Sequence, residues 1–413
     1  MSAPVVAAAE TTYQGQYVMT IGFTDNAFSA PENPPAGVQG PQENVFAVIG
    51  PGVLVRRIEP RSQQELSYRF TTQIYQEDPG AASFQHRLGW DGSFNTSHDT
   101  SVMAGASAAT GRVTAFDITL TEAGSARPPI SEDYVTAGAR ETVLHEFKPP
   151  WRMEQQSTAA FRHSLEDPSV TPTTVEVMTA LTGEHVGVSD AKALTLRLVG
   201  ARAWAGAGQD PDIYDRNGAR AALMARYRRD LNINWSSELR LGGEQLLIGD
   251  DIPPPTVSAG AALRYFFDEG LFETAATREV RTDVFFGTQY VAEEASVLAR
   301  TPRRWLPEKV SIYARAAGMR VHLIDDGSGL DTRATYILAG AGVVSWETSD
   351  YVTLEGGYVV HVQRGAEDLR DYMRQAATVT LTVNYPARDR HDPPREPALR
   401  VDGSDQPTPD RRQ

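Results

Sequence analysis

The feature that most constrains the fold is an alternation of apolar and polar residues that recurs along most of the chain. In the segment "QAATVTLTVNY", residues 375–385, odd positions from Ala377 are apolar or aromatic and even positions from Thr378 are threonine or asparagine. Successive side chains of a strand point to opposite faces, so the pattern predicts strands with one apolar and one polar face. Comparable runs lie at 13–24, 66–74, 84–95, 231–241, 257–267 and 352–362. The chain is therefore predicted to be all-β.

The connections between these runs alternate between short and long, which predicts the strand count. In a closed up-and-down barrel, short turns lie at one end and longer loops at the other. Keeping this alternation requires two weaker strands, near 140–147 and 284–297, and gives eighteen strands with both termini at the short-turn end. Without those two strands the count is sixteen. The stretch from residue 290 to 305 could equally form a short helix.

Composition limits the classes of protein that remain. The chain has 413 residues and 41% hydrophobic content, enough for two or three ordinary domains or one large β architecture. Its apolar runs fall short of the roughly 18–20 residues of a membrane-spanning helix. A net charge of −14 argues against a nucleic-acid partner, and the lack of cysteine excludes disulfides, thiolate metal sites and thiol nucleophiles.

Aromatic residues on the apolar phase favour lipid over a protein core as the partner of the apolar faces. Many lie near the ends of runs, as in the aromatic girdles of membrane barrels. The predicted strands are also longer than the roughly 5–6 residues typical of soluble sheets. A soluble assembly of several sandwiches remains the alternative. The girdle candidates are Tyr13, Tyr17, Phe23, Trp90, Phe94, Trp151, Trp204, Trp235, Tyr265, Phe267, Trp346 and Tyr385.

In its strand pattern, aromatic positions, turn alternation and terminal "TVTLTVNY", the chain resembles Gram-negative outer-membrane β-barrels of porin size over residues 11–385. The resemblance implies a closed antiparallel transmembrane barrel in the bacterial outer membrane, surrounded by outer-membrane lipid. It also implies a role as a channel. The chain differs from that class in the polar segment after Tyr385 and in lacking a complete signal peptide.

The two ends of the chain are predicted to lie outside the barrel. Residues 1–10 contain "VVAAAE", which is similar to the end of a signal peptide at its cleavage site, so they are interpreted as a residual signal-peptide end or a flexible N-terminus. Residues 386–413 are rich in proline and charge, which predicts a disordered, polar periplasmic tail that could bind a periplasmic or envelope partner.

Arginine recurs on the polar phase and suggests the chemistry of the lumen. If these side chains line an open pore, their positive potential would favour anionic solutes. Alternatively, most are paired across strands with carboxylates such as Asp91, Glu154, Glu238 and Glu355, and stiffen the wall. The pore-lining candidates are Arg69, Arg87, Arg162, Arg197, Arg226, Arg228, Arg240, Arg264, Arg333 and Arg374.

These features predict an outer-membrane channel for small hydrophilic solutes, with a preference for anions. No catalytic motif for a serine hydrolase, zinc protease or phosphate-binding loop is present, so no enzyme, metal or cofactor is predicted. Three alternatives remain: the barrel of an envelope export machine, for example in polysaccharide secretion; an outer-membrane enzyme acting on lipid; and a plugged structural scaffold.

Two local irregularities complete the interpretation. In "EKVSIYARAAGMRVHLID" the apolar phase changes at Ala317–Gly318, which predicts a β-bulge there. The connection at 121–139 is long enough either to fold into the lumen or to form a plain surface loop.

Overall fold

A computed structural model describes the chain over most of its length as one closed sheet. The described residues are 9–27, 40–77, 82–113, 132–165, 173–204, 216–248, 252–267, 270–282, 289–301, 306–307, 309–325, 329–365 and 371–386. Within them lie eighteen strands: β1 Glu10–Thr24, β2 Asn44–Glu59, β3 Ser62–Tyr75, β4 Ser83–Asn95, β5 Thr100–Val113, β6 Glu132–Glu146, β7 Trp151–Ser164, β8 Thr173–Val186, β9 Asp190–Trp204, β10 Arg216–Asp230, β11 Trp235–Ile248, β12 Thr256–Phe267, β13 Gly270–Thr282, β14 Gln289–Arg300, β15 Val310–Asp325, β16 Gly329–Glu347, β17 Val352–Arg364 and β18 Tyr372–Tyr385.

The sheet is antiparallel and closes on itself between its first and last strands. Each strand pairs with its neighbours in sequence, and β18 pairs with β1 from Gly15 opposite Tyr385 to Thr24 opposite Ala376. Closure satisfies the backbone hydrogen bonds of the edge strands, which lipid could not do. The predicted eighteen-stranded barrel is confirmed, and the sixteen-stranded alternative is wrong.

Both of the weaker predicted strands are present. β6 begins at Glu132, eight residues before the predicted start at 140, because Thr136 to Ala139 continue in register with both β5 and β7. These residues are small, so they give little hydrophobic signal. The suggested inward or surface loop at 121–139 is therefore strand from 132 onward, and 121–131 lies outside the described residues. The helical alternative is wrong over 289–300, which is β14.

The predicted bulge at Ala317–Gly318 is wrong. β15 pairs through both residues in unbroken register with β14 and β16, and its register shift lies between His322 and Ile324. The apolar phase changes for another reason: Met319 belongs to a buried cluster on the inner side of the wall. That cluster consists of Tyr290, Ala292, Met319, Val321 and Ile337.

One face of the wall is apolar and exposed on all sides of the barrel. Ile21, Leu241 and Val379 lie on this outer face and are at least half exposed, whereas the opposite face carries ion pairs and buried polar groups. Only lipid stabilises such a surface, so the chain is a membrane-spanning barrel of the kind found in the bacterial outer membrane. The longer connections, such as 25–43 and 205–215, mark its extracellular end. No helix in the described ranges is long and apolar enough to cross a membrane.

The aromatic candidates all lie on the outer face but are distributed unevenly along the barrel axis. Phe23 and Trp204 lie toward the extracellular end, and Tyr17 lies between the two ends. The others cluster toward the periplasmic end: Tyr13, Trp90, Phe94, Trp151, Trp235, Tyr265, Phe267, Trp346 and Tyr385. Trp235 and Tyr265 contact each other across strands, with ring centroids 4.7 Å apart. Their function as a girdle stays a prediction.

A single charge on the outer face tests the lipid assignment. We expect Val379→Arg, in the middle of β18, to lower the free energy of unfolding by about 2–4 kcal/mol, because the outer face meets hydrocarbon there. Thr382→Arg on the inner face of the same strand should cost much less. The measurement is equilibrium unfolding in lipid vesicles. Equal losses for the two variants would contradict the assignment of the faces.

Candidate functional site: the inner wall

The strand register places the predicted arginines on the inner face. Paired residues of antiparallel strands share a face, so each position can be followed from an exposed apolar neighbour. Leu196 and Leu198 are exposed on either side of Arg197, which therefore points inward. The same reasoning places Arg69, Arg87, Arg162, Arg226, Arg228, Arg240, Arg264 and Arg374 inside. Arg333 lies in β16, but its side chain is outside the described set.

Many inner arginines share a carboxylate with a second arginine. Four such arginine–glutamate clusters follow one side of the lumen from β7 to β15, two toward the periplasmic end and two toward the extracellular end. They are centred on Glu184, Glu238, Glu244 and Glu294. Glu273 and Glu279 pair with Arg264 and Arg281, so the four clusters together contain eight arginines and six glutamates, and arginine is in excess.

The first periplasmic cluster joins three adjacent strands. Glu184 of β8 is almost completely buried, and it pairs with Arg152 of β7 and with Arg226 of β10. The distance from Arg226 Nη2 to Glu184 Oε1 is 3.0 Å. β9 lies between β8 and β10, so the pair spans it on the inner surface.

The second periplasmic cluster is centred on Glu238. Its Oε1 accepts a hydrogen bond from Arg240 Nε at 2.5 Å, and its Oε2 lies 3.5 Å from Arg264 Nη1. Arg264 also pairs with Glu273 on the neighbouring strand β13. Charge-assisted bonds of this kind hold the guanidiniums in defined positions.

The cluster centred on Glu244 is the most deeply buried of the four. Glu244 is fully buried, lies 3.2 Å from Arg197 Nη2, and accepts a hydrogen bond from the Ser258 hydroxyl. Arg197 contacts Oε1 of Glu244, and Arg220 Nη1 lies 3.9 Å from Oε2 of the same carboxylate.

Glu294 forms the second extracellular cluster, with Arg281 at 2.8 Å and Arg315 at 3.5 Å. Arg281 pairs in addition with Glu279 two residues earlier on β13. The cluster therefore links β13, β14 and β15 on the inner face, next to the apolar cluster that contains Met319.

The remaining predicted arginines have varied surroundings. Arg69 donates a hydrogen bond to Gln16 Oε1 at 2.6 Å, and Arg162 lies 5.5 Å from the centre of the Tyr134 ring. Arg374 is buried. Arg87 and Arg228 make no ion pair within the described part of the chain.

The predicted lumen carboxylates also lie inside. Asp91 pairs with Arg140 at 2.6 Å, and Glu238 is the centre of a cluster. Glu154 lies on the inner face of β7, and Glu355 lies on the inner face of β17. The alternative of cross-strand pairing therefore describes Arg197, Arg226 and Arg264. Arg240 pairs within its own strand, and Arg87 and Arg228 face the lumen without an ion pair among the described residues.

The extracellular end of the β13–β14 hairpin folds into the lumen. Val280 and Val291 are on the lipid-facing phase of their strands, yet they are 1% and 0% exposed. They pack on Leu246, which lies on the inner face of β11. We call residues 279–282 and 289–292 the folded-in hairpin end.

Contacts with β10 show how far this hairpin end reaches. Arg220 donates a hydrogen bond to the Val280 carbonyl, and the Gln289 side chain lies against Gly218. Gln289 is on β14, four strands away from β10 around the wall. β13 pairs with β12 only as far as Arg278, so the strand is free to bend inward beyond it. The wall itself narrows the lumen at this level.

Several residues of the clusters were not among the sequence candidates. Arg152, Arg220, Arg281 and Arg315 all lie on the polar phase of their strands, so the alternation that identified Arg226 and Arg240 could have identified them as well. Strand phase also places their shared glutamates on the inner face, but it could not have identified the pairs, because phase specifies a face and not which residue on it is the partner.

No family model matches the chain, and no curated protein matches it. Among solved structures, it is similar to OccK2 (OpdF) of Pseudomonas aeruginosa, solved in complex with glucuronate, with 8% identity, 91% of this chain and 98% of that chain covered, and a TM-score of 0.48. The outer membrane protein OpdK of the same organism gives 9% identity, 91% and 99% coverage, and a TM-score of 0.45. The siderophore receptor PirA of P. aeruginosa gives 9% identity, 90% and 80% coverage, and a TM-score of 0.43.

Proposed function

We propose that the chain is an outer-membrane channel for small hydrophilic solutes with a preference for anions. The observation that carries this proposal is the set of arginine–glutamate clusters on the inner face. Together they contain eight arginines and six glutamates, and Arg87 and Arg228 add two guanidiniums without ion pairs among the described residues. A lumen lined by this charge attracts anions and repels cations.

The clusters also suggest how a solute would move. Each glutamate holds its two guanidiniums in place, so an anion would meet a series of fixed donors along one side of the lumen. A carboxylate or phosphate is recognised by the planar fork of arginine donors. Small anions that carry a carboxylate or a phosphate are therefore the solute class that we infer.

A salt gradient across a planar bilayer tests the proposal. We expect a stable conductance with an anion-selective reversal potential, and we expect Arg87→Glu with Arg228→Glu to weaken or reverse this selectivity. Neither arginine has an ion pair in the described chain, so the exchange removes no ion pair of the clusters. The control is Arg57→Glu, which makes one such charge reversal on the outer face of β2.

Two outcomes would contradict the proposal. Unchanged selectivity in the double variant would remove Arg87 and Arg228 from the conducting path. Silence in a folded protein would remove the channel itself and leave the export barrel, the lipid-acting enzyme or the plugged scaffold. The folded-in hairpin end favours the plugged scaffold as the second candidate, because its Val280 and Val291 side chains occupy part of the lumen and are buried against Leu246.

A further inference from the structure

The outer wall carries a groove where the barrel bends inward. The groove has a volume of about 800 Å³ and extends from β12 to β17. Beyond Arg278, β13 no longer pairs with β12 and turns toward the lumen. On the outer side of this bend the wall therefore recedes from the lipid and leaves the groove. The receding surface is formed by small side chains and bounded by larger apolar ones: Ala261, Ala276, Ala295, Gly318, Leu338 and Val362.

The strand register shows that these residues face lipid. Gly318 is paired with Ala295 on one side and with Leu338 on the other, and Leu338 is 54% exposed. A Cβ atom added at Gly318 would meet no other atom within 4 Å. The groove is thus open space on the outer face, with apolar walls.

Charged side chains lie at the extracellular end of this groove. Arg278 pairs with Glu293, and Arg320 Nη1 lies 3.6 Å from the other oxygen of the same carboxylate. Arg320 also lies 5.9 Å from the centre of the Tyr336 ring. Arg364 completes the set and is 3.8 Å from Asp371.

These charges are on the lipid-facing side of the wall rather than in the lumen. Arg278, Glu293 and Arg320 are register partners across β13, β14 and β15 and share the face of Val297, an exposed apolar residue. Among the described residues at this end of the groove, three guanidiniums lie with the carboxylates of Glu293 and Asp371, so arginines outnumber carboxylates there. Their position toward the long loops places them at the level of the headgroups of the outer leaflet.

We propose that the groove binds a phosphate-bearing lipid of the outer leaflet. Its phosphate would accept hydrogen bonds from Arg320 and Arg364, since arginine recognises phosphate through paired N–H donors. One acyl chain would lie along the groove over Ala295 and Gly318. The charge and the apolar groove are contiguous, as a lipid with an anionic headgroup requires, and basic pockets on a membrane wall bind such headgroups.

Native mass spectrometry of the full chain with added diphosphorylated lipid A tests this proposal. We expect one tightly retained lipid per barrel. Arg320→Gln with Arg364→Gln should reduce retention at least about tenfold, because two charge-assisted contacts are lost. Arg202→Gln is the matched control, since this arginine also lies toward the extracellular end of the outer face, 5.2 Å from the Trp204 ring, but outside the groove.

A second variant examines the apolar half of the site independently. Gly318→Leu fills the groove without a backbone clash, so it should displace the lipid in a barrel that remains folded. Retention unaffected by both variants would overturn the proposal. Loss in the arginine variant alone, or displacement by inorganic phosphate at the same concentration as lipid, would overturn the lipid assignment in favour of an anion site.

Discussion

Glu244→Gln should be among the most destabilising single changes in the barrel. Glu244 is fully buried between Arg197 and Arg220, and it accepts a hydrogen bond from Ser258. Removing its charge leaves the guanidiniums of Arg197 and Arg220 without the carboxylate that lies between them. Breaking a buried ion pair from one side costs about 3–5 kcal/mol, so we expect a loss of that size in the free energy of unfolding.

The matched control is Glu65→Gln. Glu65 pairs with Arg56 at 3.1 Å on the same inner face, but both side chains are partly exposed, so its loss should cost no more than about 1 kcal/mol. Urea unfolding in lipid vesicles measures both variants. Equal and small losses would show that lumen water reaches Glu244, and that the extracellular clusters are as hydrated as the surface pairs.

Undocking of the folded-in hairpin end is the second large effect that we expect. Val280→Asp places a carboxylate at a position that is 1% exposed and packed on Leu246. An unpaired charge is strongly disfavoured there, and undocking of the hairpin end from Leu246 is the nearest way to hydrate it. The lumen should widen as a result, and single-channel conductance should rise by about twofold.

A chemical reporter makes this prediction independent of conductance. The chain contains no cysteine, so Leu246→Cys would provide a single thiol beneath the folded-in hairpin end. Its reaction with a water-soluble maleimide should be at least about tenfold faster with Val280→Asp than without it. The control is Val280→Leu, which keeps the position apolar. A protected thiol in the aspartate variant would show that the hairpin end stays docked.

The two predictions test different parts of the wall. Glu244→Gln tests the inner arginine–glutamate clusters, and Val280→Asp tests the inward bend. Glu244 contributes to stability through charge, whereas Val280 and Val291 contribute through apolar packing across the lumen. The same bend forms the outer groove, so undocking of the hairpin end should also weaken lipid retention at Arg320. That coupling would show that the two sides of the wall respond together.

The strand architecture could be predicted from the sequence because its signal is local. Alternation with a period of two specifies which residues of one strand share a face, and it needs no knowledge of the neighbouring strands. The segment at 375–385 was assigned its two faces in this way, and its pairing with β1 follows from the need to close the sheet. The weak strands β6 and β14 required the turn alternation in addition.

The candidate site was predictable only in part. The face of Arg197 and Arg226 follows from strand phase, but their partners Glu244 and Glu184 lie on strands that are not their neighbours in the sheet. Such pairs depend on the stagger of several strands at once. The change of phase in β15 was misinterpreted as a bulge for a similar reason, since Met319 packs inward on residues of β14 and β16.

The alternation of residues was sufficient to predict the all-β barrel, its eighteen strands and the face of most side chains, because these properties follow from chain-local alternation and from the pairing that closes the sheet. The position at which the wall bends, in contrast, depends on contacts between distant strands. Val280 and Val291 have the phase of lipid-facing residues and are nevertheless buried in the lumen, because β13 extends beyond the end of its pairing with β12. The length of pairing between strands, rather than their residue pattern, therefore shaped both the narrowed lumen and the outer groove.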